Sequence, residues 1–146
     1  MDIVSIILNA AKAAHVSGVL LLAICSHESN EFKTNYVELD NGSPSHGFCQ
    51  VKLDTAIQLG FKGNPEQLRE PKVNARYAAL YLKYQVDRYG DDWCRITASY
   101  NSGSYVESEN LGYPKNLNYV RLVQRKLPED FKDRLSCGNI EIGVYP

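Results

Sequence analysis

The sequence has little that would commit it to a membrane, a metal or a highly charged partner. Its longest uninterrupted apolar run is Val19–Cys25, far short of the roughly 20 residues that cross a bilayer as a helix. The opening MDIVSIILNAAKAAH has no basic region ahead of its apolar residues, so no secretory signal is expected. The formal net charge is −1, which supplies no overall field for nucleic acid. A mild basic excess from Lys115 to Arg134 reads as a solvated helix face. The cysteines Cys25, Cys49, Cys94 and Cys137 form no CxxC pair, and HESNE lacks the second histidine of HExxH. On a helix, Cys25 and His27 would point about 160° apart and could not share one ion. No metal and no cofactor are expected. The cysteines are expected as free, buried thiols, with a disulfide as the alternative. No repeat, linker or second hydrophobic pattern interrupts the chain.

What remains is an ordinary globular composition spread over 146 residues, enough for one domain, 1–146, with a sizeable core. Helical periodicity dominates, so the expected fold class is mainly α. Asp2 caps a first helix running to about His15. Val19 to about Asn30 is a second, apolar on nearly all sides and therefore buried. Residues 33–50, with Asn41, Gly42, Pro44 and Gly47, read as a loop. Asp54 would cap a short helix stopped at Gly60, and Asn64-Pro65 opens another. The longest helix, Pro71 to Tyr89, carries a stripe of Val73, Tyr77, Leu80 and Tyr84 that reads as core. Asp91 or Asp92 caps a helix reaching about Asn101, and Lys115 to Leu127 is the last. The tail from Ser136 to Pro146 holds a short strand or nothing regular.

Candidate chemistry gathers at three places. Leu21, Ile24, Cys25 and Glu28 follow i, i+3, i+4, i+7 spacing, so Glu28 ends an apolar stripe. A carboxyl against hydrocarbon holds its proton and can serve as a general acid. A frayed, solvated helix end is the bland alternative. SHGFCQV, Ser45 to Val51, then offers a permissive glycine and the amide of Gln50. SYNSG, Ser99 to Gly103, ends a helix with Tyr100 and Asn101, expected as an exposed pair. One acid, one amide and a Tyr-Asn pair suit a cleft for a polar, ring-shaped substrate. No base is visibly paired with Ser29 or a cysteine, which argues against nucleophilic catalysis by either.

These residues resemble the soluble lytic transglycosylases of the goose-lysozyme-like superfamily (glycoside hydrolase family 23). Glu28-Ser29 with Phe32 is similar to the Glu-Ser pair that closes a hydrophobic helix in that family. Gly47-Phe48-Cys49-Gln50 resembles its Gly-Leu-Met-Gln loop, with Phe48-Cys49 in place of Leu-Met. Ser99-Tyr100-Asn101-Ser102-Gly103 resembles its Ala-Tyr-Asn-Ala-Gly helix end, and Tyr119-Val120 its late Tyr-Val. The four stand in the family's order across roughly Ile7 to Gln124.

The resemblance implies a single lysozyme-like domain of about six to eight helices around a substrate cleft. It implies cleavage of the β-1,4 bond between N-acetylmuramic acid and N-acetylglucosamine in peptidoglycan, leaving 1,6-anhydromuramyl ends. Glu28 would be the catalytic acid, and Ser45, Gln50, Tyr100, Asn101 and Tyr119 would contact substrate. The partner would be the glycan strand, met by a monomer in the periplasm or outside the cell. Without a signal, the protein is expected to reach the wall by lysis, in a virion or through a secretion apparatus. A hydrolytic goose-type lysozyme is the alternative. It would need a second carboxylate, for which Asp40 and Asp54 are the candidates, although they read better as a turn former and a helix cap. An inactive glycan-binding module is the other alternative.

Overall fold

The computed structural model describes residues 1–40, 43–109 and 111–137. The chain divides into two compact units, Met1–Lys83 and Tyr84–Pro146.

In the first unit, α1 (Ile3–Ala14) starts where the Asp2 carboxylate accepts from the Ser5 N–H at 2.8 Å. That bond satisfies one of the donors a helix start leaves open, and it also holds the Asp2 carboxyl below the usual range. α2 (Gly18–Glu28) is capped by the Ser17 hydroxyl and packs on α1. Leu20, Leu21, Ala23, Ile24 and Cys25 are buried, as the all-round apolar pattern predicts.

Residues 33–50 are not simply a loop. β1 (Val37–Asp40) pairs antiparallel with β2 (Ser43–His46), which pairs with β3 (Val51–Lys52). Two residues separate β1 from β2, the commonest hairpin spacing. α3 (Leu53–Gln58) follows at once, with Lys52 rather than Asp54 at its cap; Asp54 lies in the first turn, where its charge suits the positive end of the helix. A 3₁₀ helix at Pro65–Arg69 has the capping box that Asn64-Pro65 foretells, with Asn64 and Gln67 exchanging bonds.

α4 (Pro71–Tyr89) buries a different face from the expected one. Asn74, Ala75, Ala78, Ala79, Leu82 and Gln85 are inside, while Tyr84 is 48% exposed. Small residues admit close neighbours, and the larger rings take the flanks.

In the second unit, α5 (Trp93–Ser102) is capped by Asp92, and α6 (Leu117–Gln124) packs on it. α6 is shorter than the expected span, and Arg121, within the basic stretch, is buried rather than solvated. A second 3₁₀ helix covers Glu129–Arg134, where Phe131 stacks on Trp93. The fold is mainly α, with six α-helices, two 3₁₀ helices and one small sheet among the described residues. The expectation for most of the tail lies outside them.

The expectation of free thiols is overturned. Cys25 is bonded to Cys49, and Cys94 to Cys137. All four sit in the core, where a cystine fits as well as a thiol. Separations of 24 and 43 residues place each pairing beyond local spacing rules.

Candidate active site

Glu28 is the last residue of α2 and is half-buried. The chain then reverses sharply. Asn30, Glu31 and Phe32 all have left-handed backbones, with φ of 52°, 61° and 62°. Non-glycine residues rarely adopt that conformation even singly. Ser29 holds the turn. Its hydroxyl is fully buried, donates to the Cys25 carbonyl at 2.8 Å and accepts from the Phe32 N–H at 3.1 Å. Its carbonyl accepts from the Thr34 hydroxyl and from the Lys33 and Thr34 N–H groups. In a Glu-Ser pair of this kind, the serine fixes where the helix stops and so where the glutamate stands.

The turn after β2 is held as firmly. Gly47 has φ of 77°, and a Cβ there would lie 2.5 Å from the Asn74 amide nitrogen. Fully buried Asn74 accepts from the Cys49 N–H at 2.8 Å and donates to the His46 and Leu68 carbonyls. Gln50 follows with φ of 50°. Its amide donates to the carbonyls of Tyr36 at 3.1 Å and Gly47 at 2.9 Å. Its Oε1 is buried and has no hydrogen-bond partner among the described residues. The Cys25–Cys49 bond ties this turn to α2, three residues before Glu28 and one before Gln50.

Tyr36, which the sequence reading passed over, joins these pieces. Its hydroxyl donates toward the Glu28 carbonyl and the Glu38 carboxylate, each at 3.3 Å. Its carbonyl accepts from Gln50 and from the Gly47 N–H at 2.9 Å. Ser45, half-buried on β2, stands opposite Glu38. The first unit therefore brings Glu28 and Gln50 to one residue and places Ser45 on the adjoining hairpin. The Asn41-Gly42 dipeptide was the signal that could have revealed the hairpin, and with it Tyr36 and Glu38. A groove of about 560 Å³ in the same unit, lined by residues such as Ile6, Ala10, Arg76 and Leu80, includes none of the expected site residues.

The second unit holds the other expected contacts. Tyr100 is 6% exposed, so it is not part of an exposed pair; Asn101 beside it is exposed. The cause is position, because α5 is buried almost continuously from Trp93 to Tyr100. The Asn101 side-chain oxygen accepts from the Asn116 amide at 3.0 Å, and that amide also donates to the Ala98 carbonyl. The helix closes at Gly103, whose carbonyl accepts from Gln85 and from Arg88 at 2.7 Å. Tyr119 is half-buried on α6.

The chain matches the transglycosylase SLT domain over residues 5–122. It belongs to that family. This is a family of peptidoglycan-cleaving transglycosylases, and the match contains Glu28 and every other expected site residue. Among solved structures, the chain is similar to the lytic transglycosylase Slt of Pseudomonas aeruginosa, determined as an inactive glutamate-to-glutamine mutant. The two share 17% sequence identity with a TM-score of 0.60, over 90% of this chain and 22% of that one. The SLT-family chain thus spans about a fifth of its solved neighbour and shares its lysozyme-like fold. No curated protein matches it.

Proposed function

We propose that the protein is a peptidoglycan lytic transglycosylase that cuts the β-1,4 bond between N-acetylmuramic acid and N-acetylglucosamine. The junction at Tyr36 carries the reading, because it ties the end of α2, with Glu28, to the buried amide of Gln50. Glu28 first protonates the departing glycosidic oxygen. Now anionic, it takes a proton from the C6 hydroxyl of the muramyl residue, and that oxygen attacks the anomeric carbon. The product is a 1,6-anhydromuramyl end, formed without water. Gln50, whose amide braces the turn at Gly47, helps shape the sugar-binding surface beside Glu28. Ser45, Asn101, Tyr100 and Tyr119 contact sugars, with Tyr100 presenting the edge of a largely buried ring. That the solved neighbour is inactive as a glutamate-to-glutamine mutant agrees with an essential glutamate. The substrate places the protein's work in the bacterial wall, reached as a single domain and a monomer.

A hydrolytic reading has one observation in its favour. Glu38 shares the Tyr36 hydroxyl with the end of α2, making it a better candidate for a water-activating base than Asp40 or Asp54. Mass spectrometry of digested peptidoglycan decides between them. Anhydro ends weigh about 18 Da less than reducing ends, the mass of the water not consumed. Dominant reducing ends would replace the proposed reaction with hydrolysis. Glu28→Gln should lower turnover by at least about 100-fold, since an amide cannot donate the proton. Parental turnover in that variant would end the proposal.

A further inference from the structure

We infer that Tyr36 is a positioning residue for the reaction, a strut that fixes the backbone of Glu28 relative to Gln50. The inference rests on the proposed transglycosylase reading. Four interactions converge on this one residue. At one end, the phenol hydrogen is shared between the Glu28 carbonyl and the Glu38 carboxylate, both 3.3 Å away. At the other, the Tyr36 carbonyl takes the Gln50 amide at 3.1 Å and the Gly47 N–H at 2.9 Å. Tyr36 immediately precedes β1, so the hairpin carries it as a fixed part.

The strut matters because it acts from outside the helix on a helix end that Ser29 holds from within. Beyond Ser29 the chain runs through three left-handed residues, whose strain favours unwinding the last turn of α2. A hydrogen bond onto the Glu28 carbonyl opposes that unwinding from outside the helix. Burial first, then the charges of Glu38 and Glu28, raise the affinity of the phenol for its proton. Tyr36 therefore stays a donor throughout the range in which the enzyme works. Glu38 orients the hydroxyl by accepting from it and takes no proton from substrate.

Tyr36→Phe removes the hydroxyl while keeping the ring and both backbone contacts. On soluble glycan strands, kcat should fall about 5- to 10-fold, the equivalent of one hydrogen bond. KM, and the affinity of Glu28→Gln for the same strands with and without Tyr36→Phe, should stay unchanged. An unchanged kcat in Tyr36→Phe overturns the inference. So does a loss appearing in KM and affinity, which would make Tyr36 part of the binding surface or of the fold. So does a loss in Glu38→Gln as deep as that of Glu28→Gln, which would make Glu38 a catalytic group. Failure of the transglycosylase reading is recognised separately, by an active Glu28→Gln variant or by dominant reducing ends in the digested peptidoglycan of the parent.

Discussion

Two helices end at proposed site residues, and they end in opposite ways. After Glu28, α2 gives way to three consecutive non-glycine residues of positive φ, held by a buried serine, a disulfide and the tyrosine just before the next strand. After Asn101, α5 closes through Gly103 at φ of 85°, where the left-handed backbone carries no side-chain penalty. The carbonyl of Gly103 then receives ordinary bonds from Gln85 and Arg88. The first ending stores strain beside the residue proposed for chemistry, and the second is relaxed beside residues proposed only to bind. A general acid must be held in one place against the pull of solvent, whereas a binding surface can adapt. The bracing in the first unit is the structural counterpart of that difference.

The comparison is broken most forcefully at the disulfides. Loop-closure entropy predicts a cost of about 3.5 kcal/mol for removing Cys25–Cys49 and about 4 kcal/mol for Cys94–Cys137. Paired cysteine-to-alanine variants, followed by urea denaturation, should give losses of similar size. Activity should separate them. At a temperature where both variants are folded, the Cys25/Cys49 variant should lose more turnover, because its bridge flanks Glu28 and Gln50. Equal activities would mean that the bracing serves stability alone.

The two helix ends should also answer glycine exchange with opposite signs. Gly103→Ala should destabilise by about 1 kcal/mol, with no clash involved, since among the described residues nothing beyond its own chain neighbours lies within 4 Å of the added Cβ. Glu31→Gly should stabilise by about 0.5 kcal/mol, since it relieves a left-handed non-glycine residue but loosens the unfolded chain. Denaturation midpoints read both. Destabilisation by Glu31→Gly would contradict this.

The smallest expected effect is a pH dependence confined to the first unit. His46 on β2 is 4% exposed, and neither ring nitrogen has a hydrogen-bond partner among the described residues. Burial first, then the Arg69 charge, push its pKa below the usual histidine value, with Glu66 opposing them. A lowered folded pKa means the neutral form is favoured in the fold. The stabilisation is complete above the unfolded value of about 6.5 and fades as pH falls through it. Melting temperature should drop more between pH 7.5 and 5 in the parent than in His46→Gln, and parallel profiles would contradict this.

The pattern of what the sequence disclosed follows the same division. α2 was legible because its residues are apolar on every side, although the pattern carried it to about Asn30 and the helix ends at Glu28. The capping box at Asn64 and Gln67 was legible because caps are local. The hairpin was missed although Asn41-Gly42 announced it, because flanking residues such as Pro44 and Ser45 lack the β-branched alternation that marks strands. The disulfides and the Tyr36 junction were not legible at all. Both depend on which distant residues meet, and sequence spacing does not carry that information. On α4, Val73 and Tyr77 drew the eye by size, yet small Ala75, Ala78 and Ala79 occupy the core together with Asn74 and Gln85. In the second unit Tyr100 was misjudged in exposure, since burial of α5 is set by its neighbours rather than by its own pattern.

The Cys25–Cys49 bridge also bears on how the protein would age in a medium containing proteases. It closes a ring that contains the Glu28 turn, Tyr36 and the β1–β2 hairpin. A single peptide bond cut anywhere inside that ring would leave both fragments covalently joined. A nick between β1 and β2 would therefore show as two bands on a reducing gel and one on a non-reducing gel, while Glu28 and Gln50 remained parts of one molecule.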